Sequence, residues 1–181
     1  MISDPTVIVR QSQAAATHEA AHAVFAVALG LYLRGTFLRD RDVGTVTAIG
    51  KPKGKKERKR MAFCLAAASA AERYAGFPVD GGDAQDRKDA KKNWKRGDFD
   101  KLSAAASLVI ELPGVWKAIE ETAAALMGRP GEMAIRGRSG DVYGDEVRRI
   151  VETHVRGDVV GQVSLICRAA VKKAKKSKEA A

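Results

Sequence analysis

Thr17-His18-Glu19-Ala20-Ala21-His22-Ala23-Val24 is the stretch on which the reading of this chain turns. On an α-helix, residues four apart lie one turn apart on the same face. Imidazoles at positions 18 and 22 can therefore reach one metal ion. Glu19 sits at the edge of that face. A carboxylate there can take a proton from an attacking water without being a ligand itself, which is the general-base position of a zinc metalloprotease. The chain holds three histidines in 181 residues, so two at this spacing, with a glutamate after the first, are a poor candidate for coincidence. The bland alternative is a core helix that happens to carry two histidines. The flanks speak against it. Ala14 to Ala16, Ala20, Ala21 and Ala23 to Leu29 make an almost wholly apolar helix. Burying two imidazoles and a carboxylate in it is costly unless they are paired or metal-bound.

A catalytic zinc takes three protein ligands and keeps a fourth position open. The downstream donors are Glu72, Asp80, Asp83, Asp86, Asp89 and His154, and spacing alone does not choose among them. Working outward from the motif, Ser3 or Asp4 followed by Pro5 is a helix-start signal, and Gly30 closes that first helix. Leu31 to Leu38 and Val43 to Ile49, joined by the charged turn Arg39 to Asp42, read as an antiparallel hairpin. Lys56 to Tyr74 reads as a helix ended by Gly76 and Pro78. Asp83 to Arg96 carries acids first and bases last, an order that suits the helix dipole. It places Asp86 near that helix's start.

Leu102 to Leu112 and Val115 to Met127 follow as apolar helices, the second with Trp116, Ile119, Ala123 and Leu126 on one stripe. Gly128 to Gly144 reads as a loop with a brief strand at Met133 to Ile135. Asp145 to Val155, with Val147, Ile150 and Val151 inward, and Val159 to Ala174 are the last helices. The expected fold class is mainly α: an HExxH zincin helical bundle with one small β-hairpin. Residues 1–127 are expected to form a zinc metallopeptidase-like domain. Residues 128–170 are expected to be its C-terminal helical extension, and 171–181 a basic, frayed tail.

The motifs carry a family resemblance. His18-Glu19-Ala20-Ala21-His22-Ala23-Val24 resembles the HEAGHAV segment of the FtsH-like, AAA+-linked membrane metalloproteases. Ala67-Ala68-Ser69-Ala70-Ala71-Glu72-Arg73-Tyr74-Ala75-Gly76 is similar to that family's GGRAAEE…FG helix end. Gly82-Asp83-Ala84-Gln85-Asp86, followed by Ala90, resembles its GAxND…AT segment. The likeness covers roughly residues 12 to 127 with the three motifs in the family's order. Ala21 stands where the family has glycine, and Asp83 and Gln85 where it has alanine and asparagine. The middle segment is also shorter.

The resemblance implies that Asp86 is the third zinc ligand beside His18 and His22, with Glu19 as catalytic base. Glu72 is then either a hydrogen-bonding partner of a ligand histidine or an exposed helix end, and it is the runner-up ligand. An edge strand of the hairpin is the implied substrate cradle. The sequence carries no Walker A motif and no apolar run long enough to span a membrane. The chain therefore reads as a stand-alone peptidase domain with Zn2+ as cofactor. Its expected substrates are peptides or unfolded protein segments, supplied by a separate ATP-driven unfoldase or drawn from a few dedicated targets. A zinc hydrolase acting on a non-peptide amide would use the same ligands and base.

Net charge is +10, and the positive charge is clustered. Lys51 to Arg60 is one cluster, Arg87 to Arg96 a second and Lys172 to Lys178 a third. Such runs are usually solvated surface, and they also suit phosphate contacts. The alternative to a peptidase is thus a non-enzymatic basic module, binding nucleic acid on a metalloprotease fold. Cys64 and Cys167 lie in apolar contexts without CxxC spacing and read as buried reduced thiols. With no basic-then-apolar leader, the expected compartment is cytoplasmic.

Overall fold

In the computed structural model, residues 5–38, 45–77, 83–128 and 141–179 are described. Alanine spacing organises the centre of the fold. Helix α1 (Pro5–Ala28) buries Ala16, Ala20 and Ala23, and helix α2 (Lys55–Tyr74) buries Ala66, Ala67, Ala70 and Ala71, all at 1% exposure or less. Small side chains at one-turn spacing let two helix backbones come close. The approach is close enough for the Cys64 thiol on α2 to donate to the carbonyl of His22 on α1 at 3.1 Å. Phe25 and Phe63 fill the wider part of the same seam, with ring centres 5.9 Å apart. Such a seam has little slack, because interiors pack at near-crystalline density.

Strands β1 (Leu33–Leu38) and β2 (Thr45–Ile49) pair antiparallel, with Thr36 opposite Thr47. The register slips once between Leu33 and Gly35. The residues of the expected turn, Arg39 to Asp42, lie outside the described residues, as does the expected strand at Met133 to Ile135. A third strand, β3 (Asp141–Tyr143), was not expected. It adds antiparallel to β1 and gives the order β2-β1-β3. Thr36 becomes fully buried between its two neighbours, while β2 stays at the sheet's edge.

Helix α3 (Asp83–Asn93) follows α2, then come α4 (Phe99–Ile110), α5 (Val115–Met127), α6 (Gly144–His154) and α7 (Gly157–Glu179). Helix α1 touches α2, α5, α6 and the sheet, so the HEAAH segment sits at the middle of the molecule. Two glycines are dictated by close approach. Gly114 opens α5 at φ +81°, and a Cβ there would lie 1.8 Å from the carbonyl oxygen of His154. A Cβ on Gly144 would lie 2.1 Å from the carbonyl oxygen of Leu33, where α6 leaves the sheet.

Helix α3 ends three residues before the expected Arg96, because Trp94 turns inward and its carbonyl accepts from Gly97 N–H at 2.9 Å. Helix α7 runs further than expected, through the lysine-rich segment to Glu179. Its Val159, Val163 and Cys167 are buried. Trp116 is half-buried against the core and packs on Tyr74. Both cysteines are free and buried. Burial raises their thiol pKa values, that of Cys167 to about 11. The chain is therefore mainly helical with a small three-stranded antiparallel sheet. Among the described residues, no single helix is long and apolar enough to cross a membrane.

Candidate metal centre

Helical spacing on α1 brings the two imidazoles together edge to face, with ring centres 4.8 Å apart and the Nε2 atoms 3.2 Å apart. Asp86 comes from the first turn of α3. Its Oδ2 lies 3.1 Å from His18 Nε2 and 3.1 Å from His22 Nε2. The three donor atoms make a nearly equilateral triangle. Among the described residues this is the one group of three or more His, Cys, Asp or Glu side chains arranged to hold a metal ion.

Each ring is held from behind. His18 Nδ1 lies 3.0 Å from Glu72 Oε1, at the C-terminal turn of α2. His22 Nδ1 lies 3.1 Å from the Cys64 carbonyl oxygen. A carbonyl can only accept, so His22 Nδ1 carries a proton, and the nitrogen left to bind a metal is Nε2. A proton on His18 Nδ1, donated to Glu72, does the same for the other ring. With both rings neutral, three lone pairs converge on one point. Lone pairs this close repel unless a cation or protons stand among them.

The donor spacing fits a metal ion. Tetrahedral zinc holds nitrogen and oxygen ligands at about 2.0–2.2 Å, which sets neighbouring ligand atoms about 3.3 Å apart. The observed 3.1–3.2 Å edges are close to that value. Two imidazoles and one carboxylate also leave a tetrahedral ion its fourth position. Other divalent ions accept the same donors, so the triangle by itself does not select zinc.

Without a metal, the cluster holds protons. Burial pulls the His18 pKa down, but the Asp86 and Glu72 carboxylates outweigh it and lift it to about 10. Burial pushes the Asp86 carboxyl up, and the two imidazoles overcome this and hold it well below the usual carboxylate range. His22, at 4% exposure, is the most enclosed member, while Asp86 keeps partial access to solvent.

Glu19 is buried at 6% exposure, next to the ligand face. The Thr47 hydroxyl on β2 donates to Glu19 Oε2 at 2.5 Å, with the Glu19 carbonyl as a second acceptor at 3.1 Å. Thr36, opposite on β1, lies 2.8 Å from Thr47 Oγ1 and can donate to it. The sheet therefore fixes the carboxylate that follows the first histidine. β2 is one of the two outer strands of the sheet, and it supplies the threonine that holds this carboxylate.

The remaining sequence candidates fall elsewhere. Asp83 is held by Arg87 at 2.7 Å, and Asp89 accepts from Gln85 at 2.9 Å. His154, on α6, pairs with Glu121 of α5. Asp80 lies outside the described residues. Glu72 stands behind His18 rather than in the triangle, since it faces Nδ1 and not the shared point. Sequence reasoning missed Thr36, Thr47 and the Cys64 carbonyl. Nothing in a strand threonine or a backbone oxygen signals a role until the strands and helices are packed. Compared with protein-family models, curated proteins and solved structures, the chain finds no match.

Proposed function

We propose that this chain is a zinc-dependent endopeptidase of the FtsH-like type, hydrolysing peptide bonds in unfolded or flexible protein segments. The observation that carries the reading is the pairing of two features. The His18, His22 and Asp86 donors are set 3.1–3.2 Å apart, and Glu19 is held beside them by Thr47. A purely structural ion has no use for a buried carboxylate outside its ligand set.

When bound there, zinc supplies Lewis acidity, lowering the pKa of water and polarising a carbonyl. His18, His22 and Asp86 would hold it. Glu72 and the Cys64 carbonyl fix the two rings in the tautomer that presents Nε2. Glu19 takes the proton of the attacking water and delivers it to the leaving amine. Thr47 occupies Oε2 and aims the carboxylate. An extended substrate can add to the outer strand β2, which gains main-chain hydrogen bonds without requiring a particular side chain. Only an extended, unfolded segment can make that pairing.

The test is Glu19→Gln with zinc content and cleavage of an unfolded protein measured side by side. The variant is expected to bind about one zinc per chain, like the parent, and to cleave nothing. Cleavage retained by Glu19→Gln, or a parent that takes up no zinc on reconstitution, overturns the reading.

A further inference from the structure

Two basic runs some thirty residues apart in sequence meet in space. Lys55 and Lys59 lie one turn apart on α2, followed by Ala62 on the same face. Ala62 lines a pocket of about 210 Å³ together with Lys91, Trp94, Lys95 and Phe99. Lys59 Nζ lies 5.6 Å from the centre of the Trp94 ring, which fixes the junction of the two runs. Lys56, Arg58, Lys88, Lys92 and Arg96 are exposed around it.

The two runs hold more bases than acids, with Glu57 and Asp89 standing among their lysines. Arg87 is committed to Asp83 and Asp100, each at 2.7 Å. Among the described residues, no carboxylate lies within ion-pair distance of Lys55, Lys59, Lys91, Lys92 or Lys95. Keeping so many ammonium groups together without partners costs self-repulsion, and a polyanion relieves it.

We propose that the α2–α3 face is a binding surface for single-stranded nucleic acid, separate from the metal centre and independent of the peptidase reading. The lysines supply phosphate contacts. The half-buried Trp94 ring at the pocket supplies a platform for a base. Alternating phosphates and stackable bases are what a single strand offers, whereas a duplex keeps its base faces covered. An acidic protein segment would satisfy the lysines but make no use of the part of the Trp94 ring that the core leaves exposed.

The experiment is fluorescence anisotropy of a labelled oligothymidylate with the full chain across a salt series. Four phosphate contacts, from Lys55, Lys59, Lys91 and Lys95, give a log–log slope of about −3 for a single strand. The triple variant Lys59→Gln/Lys91→Gln/Lys95→Gln should flatten the slope to about −1. Trp94→Leu should weaken binding about tenfold at every salt concentration and leave the slope unchanged. A melting curve reports whether that variant folds. If it does not, the lysine variant decides alone, since Lys91 and Lys95 are exposed and Lys59 is partly so. Glu19→Gln and Asp86→Ala should bind the oligonucleotide like the parent, so a failed peptidase assay leaves this result standing. Three outcomes overturn the proposal: an unchanged slope in the triple variant, a duplex bound as tightly as the single strand, or displacement by polyglutamate at equal charge. The last would assign the face to acidic protein.

Discussion

Replacing Glu72 tests the metal centre through a residue that is not itself one of the three donors. Its Oε1 lies 3.0 Å from His18 Nδ1, and the side chain is 10% exposed. Its second oxygen, Oε2, is buried and has no hydrogen-bond partner among the described residues. A hydrogen bond to a charged group contributes about 1.5–3 kcal/mol. A factor of ten in affinity corresponds to about 1.4 kcal/mol, so losing the contact should weaken metal binding about ten- to a hundredfold. Glu72→Gln keeps an acceptor for His18 and removes the charge, and should fall near the tenfold end. Glu72→Ala removes both and should approach a hundredfold. The metal-free protein should respond as well. There Glu72 faces a His18 whose pKa it helps raise to about 10, so Glu72→Gln should melt below the parent in chelator at pH 7. Competition against a chromophoric zinc chelator gives the affinities. Asp83→Asn, which alters an ion pair with Arg87 outside the triangle, is the control and should bind as the parent does. Parent-like affinity in Glu72→Ala would refute the argument that the α2 carboxylate orients His18.

Metal uptake should depend on pH with a defined sign. The metal needs His18 neutral, and in the metal-free protein the Asp86 and Glu72 carboxylates hold its pKa at about 10. Affinity should therefore climb as pH rises from 7 towards 10. Titration calorimetry at pH 8 in buffers of different ionisation enthalpy should show about one proton released at His18. For the metal-free fold, a raised histidine pKa stabilises most fully below the unfolded value of 6.5, and that stabilisation is lost as pH rises through about 10. Thr47→Val should lower kcat for peptide cleavage with KM little changed, because the hydroxyl aims Glu19 and need not touch substrate, and Thr47→Ser should restore the rate. Ala67→Leu, placed at 0% exposure in the α1–α2 seam, should destabilise the chain by about 1–3 kcal/mol in urea unfolding.

Much of the fold was legible because its signals are local. Alanine and leucine periodicity located α1, α2, α4 and α5. Gly30 and Gly76 marked helix ends, and both adopt positive φ. β3 was missed because three residues are too few to show alternation, and Asp141-Val142-Tyr143 becomes a strand through its partner β1. The end of α3 was misjudged because Lys95 and Arg96 continue the helical charge pattern, while the inward turn of Trp94 is set by packing against α2 and α4. The lysine-rich end of the chain reads as a tail by composition, yet α7 runs through it to Glu179.

The sequence by itself determined His18, Glu19 and His22 as a unit, since a helix fixes the geometry of residues one and four apart whatever surrounds it. It could also name Asp86, though only through a resemblance in motif order. What tertiary structure decided is everything that depends on distance between elements. It set Asp86 Oδ2 3.1 Å from both imidazoles, put Glu72 behind one ring and the Cys64 carbonyl behind the other, and brought Thr47 to Glu19 from a strand twenty-eight residues away. It also joined two separate lysine runs around Trp94. These contacts come from side-chain volumes and strand register summed over the whole core, and no local pattern encodes them.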